Sequence, residues 1–124
     1  HNLYVVNNTF LNDDSVRGTF VKVSSTVTKA ALLQNNIFGG TGSVTTQVSA
    51  VQKTNYRSIA PGFVSRSTYD LRPTSSLVIN SGSTPGVSPT SVSLKPLAHY
   101  SHPAYGVTRP LNGAYDIGAY EVAP

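Results

Sequence analysis

Two adjacent acids, Asp13 and Asp14, are the residues whose spacing most directly suggests chemistry in this chain. Neighbouring carboxylates could bind calcium, a cation that prefers oxygen ligands, or supply one half of a glycosidase carboxylate pair. They lie in an Asn-Asp-Asp-Ser sequence, however, which is typical of a solvated turn. The turn is the favoured interpretation, and calcium is the one cofactor that the pair could hold.

Two basic residues, Arg17 and Lys22, follow that acid pair closely. A polysaccharide lyase needs a base for the proton beside a uronate carboxylate, and a Lys or Arg side chain in a groove can serve. Ordinary surface charge is the alternative for both. A groove of basic and acidic side chains between residues 8 and 22 would favour lyase activity, whereas a smooth face of Ser and Thr would favour a non-catalytic protein.

The histidines could bind metal only with further ligands. His99 and His102 are three positions apart, but a zinc site usually needs a third ligand at a recognisable spacing, and none is evident. His1 with a second His and a Tyr could form a copper site, or His1 could mark a truncation boundary. No metal ligand and no catalytic residue is assigned from the sequence.

Several polar and aromatic residues near the end of the chain are predicted to be structural. Arg109, Asp116 and Glu121 are expected to form a salt-bridged cluster rather than a catalytic one. Four tyrosines either stack on sugar rings or pack over the end of the fold: Tyr100, Tyr105, Tyr115 and Tyr120. Asn7 begins a formal glycosylation sequon, whose use is disfavoured at a bend of the chain.

Composition excludes several classes of protein. Charged residues are 11% of the 124, and Ser, Thr, Asn and Gly are abundant, which disfavours amphipathic helices and favours β-structure with many turns. The absence of Cys excludes disulfide bonds and thiolate metal sites. No run of about 18 apolar residues is present, so no membrane-spanning segment is expected. The length is that of one domain.

The charge is weakly basic, with a formal net charge of +4 and a pI near 9.6. The nine Lys and Arg residues are scattered, and no basic run alternates with aromatic residues. Nucleic acid is therefore not an expected partner. Acidic polysaccharide is a partner that a mildly basic surface could attract, although a simple scarcity of acids explains the same balance.

The elements that position these residues are predicted from a repeat. Residues 5–10 read VVNNTF and residues 33–38 read LQNNIF, with a spacing of 35 − 7 = 28. A β-run, an Asn bend and a second β-run, repeated every 25–30 residues, are typical of one turn of a solenoid. Asn tolerates the left-handed conformation of a sharp corner, and its amide can bond to the same amide in the next turn. We therefore expect Asn7 to lie over Asn35, and Phe10 to stack on Phe38.

The remaining chain is expected to complete and cap that solenoid. A third, weaker unit runs through Thr54-Asn55-Tyr56 and Gly62-Phe63-Val64. Beyond residue 80 the Pro and Gly content is too high for regular turns. We predict parallel coils over residues 1–82 and, over residues 83–124, an irregular segment of the same domain that caps the open end of the last coil.

Two stretches resemble a known family. The ending DIGAYE, residues 116–121, is similar to the C-terminal signature of bacterial secreted right-handed parallel β-helix proteins, which are often polysaccharide-lyase-like. Residues 62–82, with Gly62-Phe63-Val64, Tyr69-Asp70-Leu71-Arg72 and Ser76-Leu77-Val78-Ile79-Asn80-Ser81-Gly82, resemble an upstream motif of the same family. Leu77 stands where Pro is usual in that motif, and Asn80 where Asp is usual.

The resemblance implies an all-β, right-handed parallel β-helix of which this chain forms the last few coils and a C-terminal cap. It also implies an extracellular or cell-surface location and a role in binding or processing polysaccharide, with uronate lyase chemistry first among the reactions. A non-catalytic structural or adhesive surface protein is the alternative, because one scaffold serves many functions. Whether the chain is an enzyme stays open.

The first coil has a consequence for partners. Leu3, Val5 and Phe10 would lie on an uncovered edge, so we expect preceding coils of a longer protein, or another chain, to stack there. Without such a partner, the 124 residues are expected to aggregate. The absence of Met fits a processed product or a piece of a longer protein.

Overall fold

The computed structural model describes residues 2–101 and 104–123. In this part the chain forms twelve short β-strands and one 3-10 helix, with no α-helix. No helix of the described residues is long and apolar enough to cross a membrane. The predicted all-β class is confirmed, and its basis is the low charge and the abundance of small polar residues that rule out amphipathic helices.

The first eight strands form three successive layers of chain. Layers one and two have three strands each, and layer three has two. The strands are β1 (Tyr4–Val6), β2 (Thr9–Asn12) and β3 (Gly18–Val21) in layer one, β4 (Leu32–Gln34), β5 (Ile37–Gly40) and β6 (Gly42–Thr45) in layer two, and β7 (Val51–Lys53) and β8 (Tyr56–Ser58) in layer three. We call residues 3–58 the stacked region.

Strands at the same position in successive layers pair side by side. Three parallel sheets result, with strand orders β1-β4-β7, β2-β5-β8 and β3-β6. Val6 pairs with Gln34, so the first two layers are offset by 34 − 6 = 28 residues. Leu32 pairs with Val51, an offset of 19. The predicted period of 25–30 residues is therefore right for the first interval and wrong for the second, because two connections are shorter in layer two. Thr41 alone joins β5 to β6, where residues 13–17 join β2 to β3, and residues 46–50 lead from β6 to β7, where residues 22–31 lead from β3 to β4.

A left-handed residue makes the bend between the first two strands of each layer. The φ angle is 54° at Asn7, 55° at Asn35 and 49° at Thr54, and we call these residues the outer ladder. Asn35 Nδ2 donates to Asn7 Oδ1 at 3.3 Å, and Thr54 Oγ1 donates to Asn35 Oδ1 at 2.6 Å. The predicted stacking of the amides at positions 7 and 35 is confirmed, and their short polar side chains suit this conformation.

The next residues, Asn8, Asn36 and Asn55, form an inner ladder. The backbone N–H of Asn8 donates to Asn36 Oδ1, and that of Asn36 to Asn55 Oδ1, both at 2.9 Å. Asn36 Nδ2 donates to the Val5 carbonyl at 2.8 Å, and Asn55 Nδ2 to the Leu33 carbonyl at 2.7 Å. The amides therefore bind backbone groups at the bend, which would otherwise be buried without partners.

Apolar side chains fill the space between the sheets of the stacked region. The rings of Phe10 and Phe38 are stacked, with centroids 5.2 Å apart and planes 9° apart, as the sequence predicts. Phe20 packs against Phe38 at a tilt, with centroids 5.5 Å apart. Leu33 and Phe38 are fully buried. This first core explains why apolar residues recur on both sides of each Asn pair.

Residues 59–101 and 104–123, the C-terminal region, contain two antiparallel hairpins instead of further parallel layers. One consists of β9 (Phe63–Ser65) and β10 (Asp70–Pro73), joined through the 3-10 helix Arg66–Thr68, and the other of β11 (Ala98–Ser101) and β12 (Tyr105–Thr108). The run Gly62-Phe63-Val64 therefore does not continue the third unit in parallel, as the sequence suggested. Its partner is the strand that follows it along the chain.

The C-terminal region packs on the side of the stacked region. Ile37, Val78 and Ile117 form a second buried cluster on the β5 strand. The Gly118 N–H donates to the Asn35 carbonyl at 2.7 Å, and Asn7 Nδ2 donates to the Asp116 carbonyl at 2.9 Å. Gly118 has a φ of 103°, and a Cβ there would lie 2.7 Å from Ile37 Cδ1, so only glycine fits this contact.

These lateral contacts bind the C-terminal region to layers one and two of the stacked region. The division of the chain at residues 82 and 83, and the capping role of residues 83–124, stay predictions.

Candidate functional site

Asp13 and Asp14 are both engaged in local structure. Asp13 Oδ1 accepts a hydrogen bond from Arg66 Nε at 2.6 Å. Asp14 Oδ1 accepts from the backbone N–H of Val16 at 3.0 Å, so this carboxylate closes a turn. The described residues contain no group of three or more His, Asp or Glu side chains that could hold a metal. The favoured turn interpretation fits these contacts, and calcium binding stays a prediction.

Arg17 lines a small hollow on the stacked region, which we call the basic hollow. Its volume is about 270 Å³, and its other lining residues are Thr41, Gly42, Ser43, Arg57 and Ile59. Two arginines and two hydroxyl-bearing residues therefore line it, and no acid is among its described lining residues. Lys22, the other predicted base, is exposed and does not line this hollow.

Arg57 is held in the basic hollow by backbone carbonyl groups. Its Nη1 donates to the Phe38 carbonyl and its Nη2 to the Gly42 carbonyl, both at 3.1 Å. Its guanidinium also lies 5.5 Å from the centroid of the Phe20 ring, within the range of a cation–π contact. These contacts orient the charge, and no described acid is its counter-ion.

Acids and bases are unevenly paired over the whole chain. Three ion pairs form among the described residues: Arg66–Asp13, Arg72–Asp70 and Arg109–Glu121. The other two acids, Asp14 and Asp116, accept hydrogen bonds from backbone N–H groups.

Six of the nine Lys and Arg residues form no ion pair with a described residue. Five of these six lie between residues 17 and 57. The six are Arg17, Lys22, Lys29, Lys53, Arg57 and Lys95. The stacked region thus carries most of the uncompensated positive charge.

The predicted cluster of Arg109, Asp116 and Glu121 forms and is buried, with exposed fractions of 5%, 0% and 3%. Arg109 Nε donates to Glu121 Oε2 at 2.7 Å, which confirms the salt bridge. Asp116 binds the backbone instead, since its two oxygens accept from the N–H groups of Asn80 and Val122 at 2.6 and 2.7 Å. These carboxylates hold chain segments together and are not exposed for general acid–base chemistry.

A larger cleft lies between the two hairpins of the C-terminal region. Its volume is about 810 Å³, within the usual range of ligand sites. Asp70 and Arg72 line one side from β10, and His99 and Tyr100 line the other from β11. Tyr120 lines it as well, from the C-terminal segment. We call this space the hairpin cleft.

His99 is fixed in the wall of the hairpin cleft. Its Nδ1 accepts a hydrogen bond from the Glu121 backbone N–H at 2.9 Å, so the neutral ring carries its proton on Nε2. Burial and then the nearby Arg109 charge lower the pKa of His99, and Glu121 opposes them. The neutral imidazole is therefore the favoured form. His1 and His102 lie outside the described residues, so the predicted zinc and copper arrangements are not tested.

The late tyrosines divide between packing and exposure. Tyr115 and Tyr120 are buried, with 7% and 6% of their surface exposed, whereas Tyr100 is 39% and Tyr105 is 68% exposed. Tyr100 and Tyr120 meet edge to face with centroids 5.9 Å apart. Burial raises the pKa of Tyr120, and Tyr100 and Asp70 add to the shift. Packing thus accounts for two of the rings.

Asn7 of the formal sequon is 6% exposed, and its Nδ2 is bonded to the Asp116 carbonyl. A glycan on that nitrogen would require the bond to break and the C-terminal segment to move. The expectation that the sequon is not used therefore has a physical reason beyond its position at a bend.

Neither cavity was predicted from the sequence. The hairpin cleft joins residues 64–73, residues 99–101 with Val107, and residues 120–123, which only the folded chain brings together. The sequence does hold a signal for the position of Arg57. Arg57 pairs with Phe38 between strands β5 and β8, so it stands where the repeat would place a third Phe.

Comparison of the chain with protein-family models, curated proteins and solved structures gives no match.

Proposed function

We propose that this chain is the last part of an exported right-handed parallel β-helix protein that binds acidic polysaccharide at its stacked region. Three in-register parallel sheets support the architecture, because strands that recur in the same order in each layer must wind in one direction. Right-handed crossovers between parallel strands are strongly preferred in proteins, which supports the handedness. Two ladders of side chains at equivalent corners support the repeat.

The basic hollow is the observation on which the polysaccharide proposal depends. Arg17 and Arg57 face it, and neither is ion-paired with a described acid. A guanidinium binds a carboxylate or sulfate group through two parallel N–H donors. The neighbouring Ser43 hydroxyl can bond to a sugar hydroxyl group, and Thr41 Oγ1, which donates to the Asp14 carbonyl, can accept from one. The further uncompensated cations of the stacked region would attract a polyanion and raise its association rate.

Binding has more support than cleavage. All five acids of the chain already bind a cation or a backbone group, so none of them is an obvious general acid or base. Lys22, the candidate base of a uronate lyase, lies outside the basic hollow. Lyase activity therefore remains the narrower form of the proposal, and a surface location remains part of it.

The alternative, a structural or adhesive protein whose layers stack end to end, is favoured by the edge of layer one. The strands β1, β2 and β3 each have a partner on one side only among the described residues. Asn8 is exposed at the end of the inner ladder, and Leu3 is 36% exposed. We propose that preceding coils or another chain stack on this edge.

Titration of the chain with polygalacturonate, alginate and chondroitin sulfate, with dextran as the neutral polymer, tests the proposal. We expect at least one acidic polymer to bind, with an affinity that falls as salt is added. Arg17→Gln should weaken binding about fivefold, the equivalent of about 1 kcal/mol. Lys95→Gln, which removes an exposed cation outside the stacked region, is the matched control.

Equal binding to dextran and to the acidic polymers, or no binding at low salt, would contradict the proposal. The same samples can be followed for the ultraviolet absorbance of an unsaturated uronate product. Cleavage that is lost in Lys22→Ala would establish the lyase form. Light scattering of the chain alone separates a well-behaved monomer, which argues against a stacking partner at the edge of layer one, from self-association.

A further inference from the structure

The side-chain amide of asparagine is chemically labile, and this chain contains nine asparagines. Asn112 is the only one of them that is followed by glycine. In such a pair the backbone nitrogen of the glycine can attack the side-chain carbonyl carbon of the asparagine and close a five-membered ring. The reaction needs no enzyme. It is favoured by a following residue without a side chain, by a following N–H that makes no hydrogen bond, and by access of water.

The asparagines of the two ladders are protected from this reaction by their hydrogen bonds. For four of them, the N–H of the next residue donates to an oxygen of a neighbouring layer at 2.8 or 2.9 Å. The four donors are the N–H groups of Asn8, Asn36, Ile37 and Tyr56, which follow Asn7, Asn35, Asn36 and Asn55. Ring closure at these places would first have to break a contact between layers.

The pair Asn112-Gly113 lacks this protection. Both residues are exposed, and the Gly113 N–H donates to no described residue. Gly113 has a φ of 145°, which residues with a side chain rarely adopt, so the backbone here favours the residue that hinders ring closure least. Asn112 Nδ2 donates to the Val122 carbonyl at 3.0 Å. Because this bond is exposed, water can replace it.

We propose that Asn112 is a site of spontaneous deamidation and that the ladder asparagines are not. The Gly113 nitrogen forms a bond to Asn112 Cγ, the bond from Cγ to Nδ2 breaks, and ammonia leaves with the proton of the Gly113 amide. Water then opens the ring at either of its two carbonyl groups, which gives an aspartate in the normal linkage or in the isoaspartyl linkage. Overall, water is consumed and ammonia is released, without an oxidant or a reductant.

Deamidation at this place removes a contact of the C-terminal segment. Asn112 Nδ2 is a donor to the Val122 carbonyl, whereas the carboxylate of the product only accepts hydrogen bonds at neutral pH. The Val122 N–H keeps its bond to Asp116 Oδ2 at 2.7 Å. We therefore expect local opening around Val122 rather than unfolding of the chain. The inference does not depend on polysaccharide binding and fails independently of it.

The test compares the folded chain with a synthetic peptide of residues 109–116, both incubated in mildly alkaline buffer. Base favours the reaction because it removes the Gly113 amide proton. Mass spectrometry with fragmentation follows the gain of about 1 Da at each asparagine. We expect Asn112 to react first in the folded chain, and less than about tenfold more slowly than in the peptide. Cation-exchange chromatography should show the formal net charge fall from +4 by one.

Tyr56→Gly separates the effect of the hydrogen bond from that of the sequence. It gives Asn55 a following glycine whose N–H occupies the place of a donor to the Asn36 carbonyl at 2.8 Å. In a folded sample of this variant, Asn55 should react more than about tenfold more slowly than Asn112. Equal rates at the two asparagines would overturn the proposal. If the variant does not fold, the peptide comparison decides, and a rate at Asn112 more than about tenfold below that of the peptide overturns it.

Two substitutions of Asn112 complete the test. Asn112→Gln keeps an amide but would have to close a larger ring, so no mass gain is expected at that position. Asn112→Asp carries the product in its normal linkage from the start. Hydrogen exchange of the Val122 amide should be about threefold faster in Asn112→Asp than in the unchanged chain. Unchanged exchange would show that deamidation does not loosen the C-terminal segment, and a mass gain in Asn112→Gln would assign the reaction to another residue.

Discussion

The stacked region and the C-terminal region bury polar groups in different ways. In the stacked region the buried polar side chains include Asn7, Asn35 and Asn36, which bond to the same positions in the neighbouring layers. In the C-terminal region they include Arg109 and Glu121, which form one ion pair at a single place. A ladder divides its hydrogen bonds over many similar contacts. The ion pair of Arg109 with Glu121 instead depends on two residues only, so the loss of one of them leaves the other as an unpaired buried charge.

The largest expected effect comes from Arg109→Met. This change leaves Glu121 buried without its cation, so we expect the free energy of unfolding to fall by about 3–5 kcal/mol. Urea denaturation measures the loss. The control is Arg66→Ala, which breaks an ion pair whose side chains are 34% and 44% exposed and which should cost about 1 kcal/mol or less. Similar losses in the two variants would show that breaking the buried ion pair costs no more free energy than breaking the exposed one.

A smaller loss is expected when the inner ladder is cut in its middle. Asn36→Ala removes the acceptor for the Asn8 N–H and the donor to the Val5 carbonyl, in a fully buried place. We expect a loss of about 3 kcal/mol in the free energy of unfolding. Asn8→Ala, at the exposed end of the same ladder, should cost about 1 kcal/mol. Equal effects at both positions would contradict the idea that neighbouring layers share each amide.

Acidification should weaken the C-terminal region through His99. The lowered pKa of His99 means that the unfolded chain takes up a proton first as the pH falls below the ordinary value of about 6.5. Its contribution to stability is therefore complete above that pH, declines below it, and levels off once the folded pKa is also passed. Urea midpoints between about pH 7.5 and 5.5 measure this decline, in a range above the ordinary carboxylate pKa values.

His99→Gln should reduce the decline, because an amide in that place does not titrate in this range. An unchanged pH dependence in His99→Gln would assign the effect to another group. The loss should be smaller than those of the two preceding variants, since the imidazole is only partly buried.

The smallest effect, and a gain, is expected from Thr54→Asn. Thr54 is a β-branched residue at a φ of 49°, where the two equivalent residues of the outer ladder are Asn. Asn tolerates this conformation better and keeps a donor for Asn35, so we expect stabilisation by about 0.5–1 kcal/mol in thermal or urea unfolding. Thr28→Asn, at an exposed position without positive φ, should change little. A loss of stability in Thr54→Asn would show that the Thr hydroxyl matters more than the backbone strain.

The sequence predicts the stacked region well because that region repeats. Two copies of an Asn pair followed by Phe two residues later were enough to place the corner at Asn7 and Asn35 and the ring stack of Phe10 on Phe38. The third copy is weaker, since Thr54 and Arg57 stand where Asn and Phe are expected. The offset of 19 residues could not be predicted, because it depends on how short the connections before β6 and before β7 can be.

The hairpin cleft could not be predicted, and the reason is the absence of a repeat. Its walls come from chain segments about 30 and 50 residues apart, whose meeting depends on tertiary packing rather than on local pattern. The salt bridge of Arg109 with Glu121 was predictable from charge type in an apolar segment, but the role of Asp116 as a backbone acceptor was not. The alternation of Asp70 and Arg72 along β10 is the one local signal for the cleft.

Arg57 makes the last layer of the stacked region chemically different from the first two layers, which carry Phe at the equivalent position. A duplicated 28-residue unit inserted between layers one and two would meet Phe on both sides and could lengthen the aromatic column. A unit added after layer three would meet a guanidinium that is tied to the Phe38 and Gly42 carbonyl groups. By this chemistry, expansion of such a chain through gene duplication is favoured between layers one and two and disfavoured after layer three.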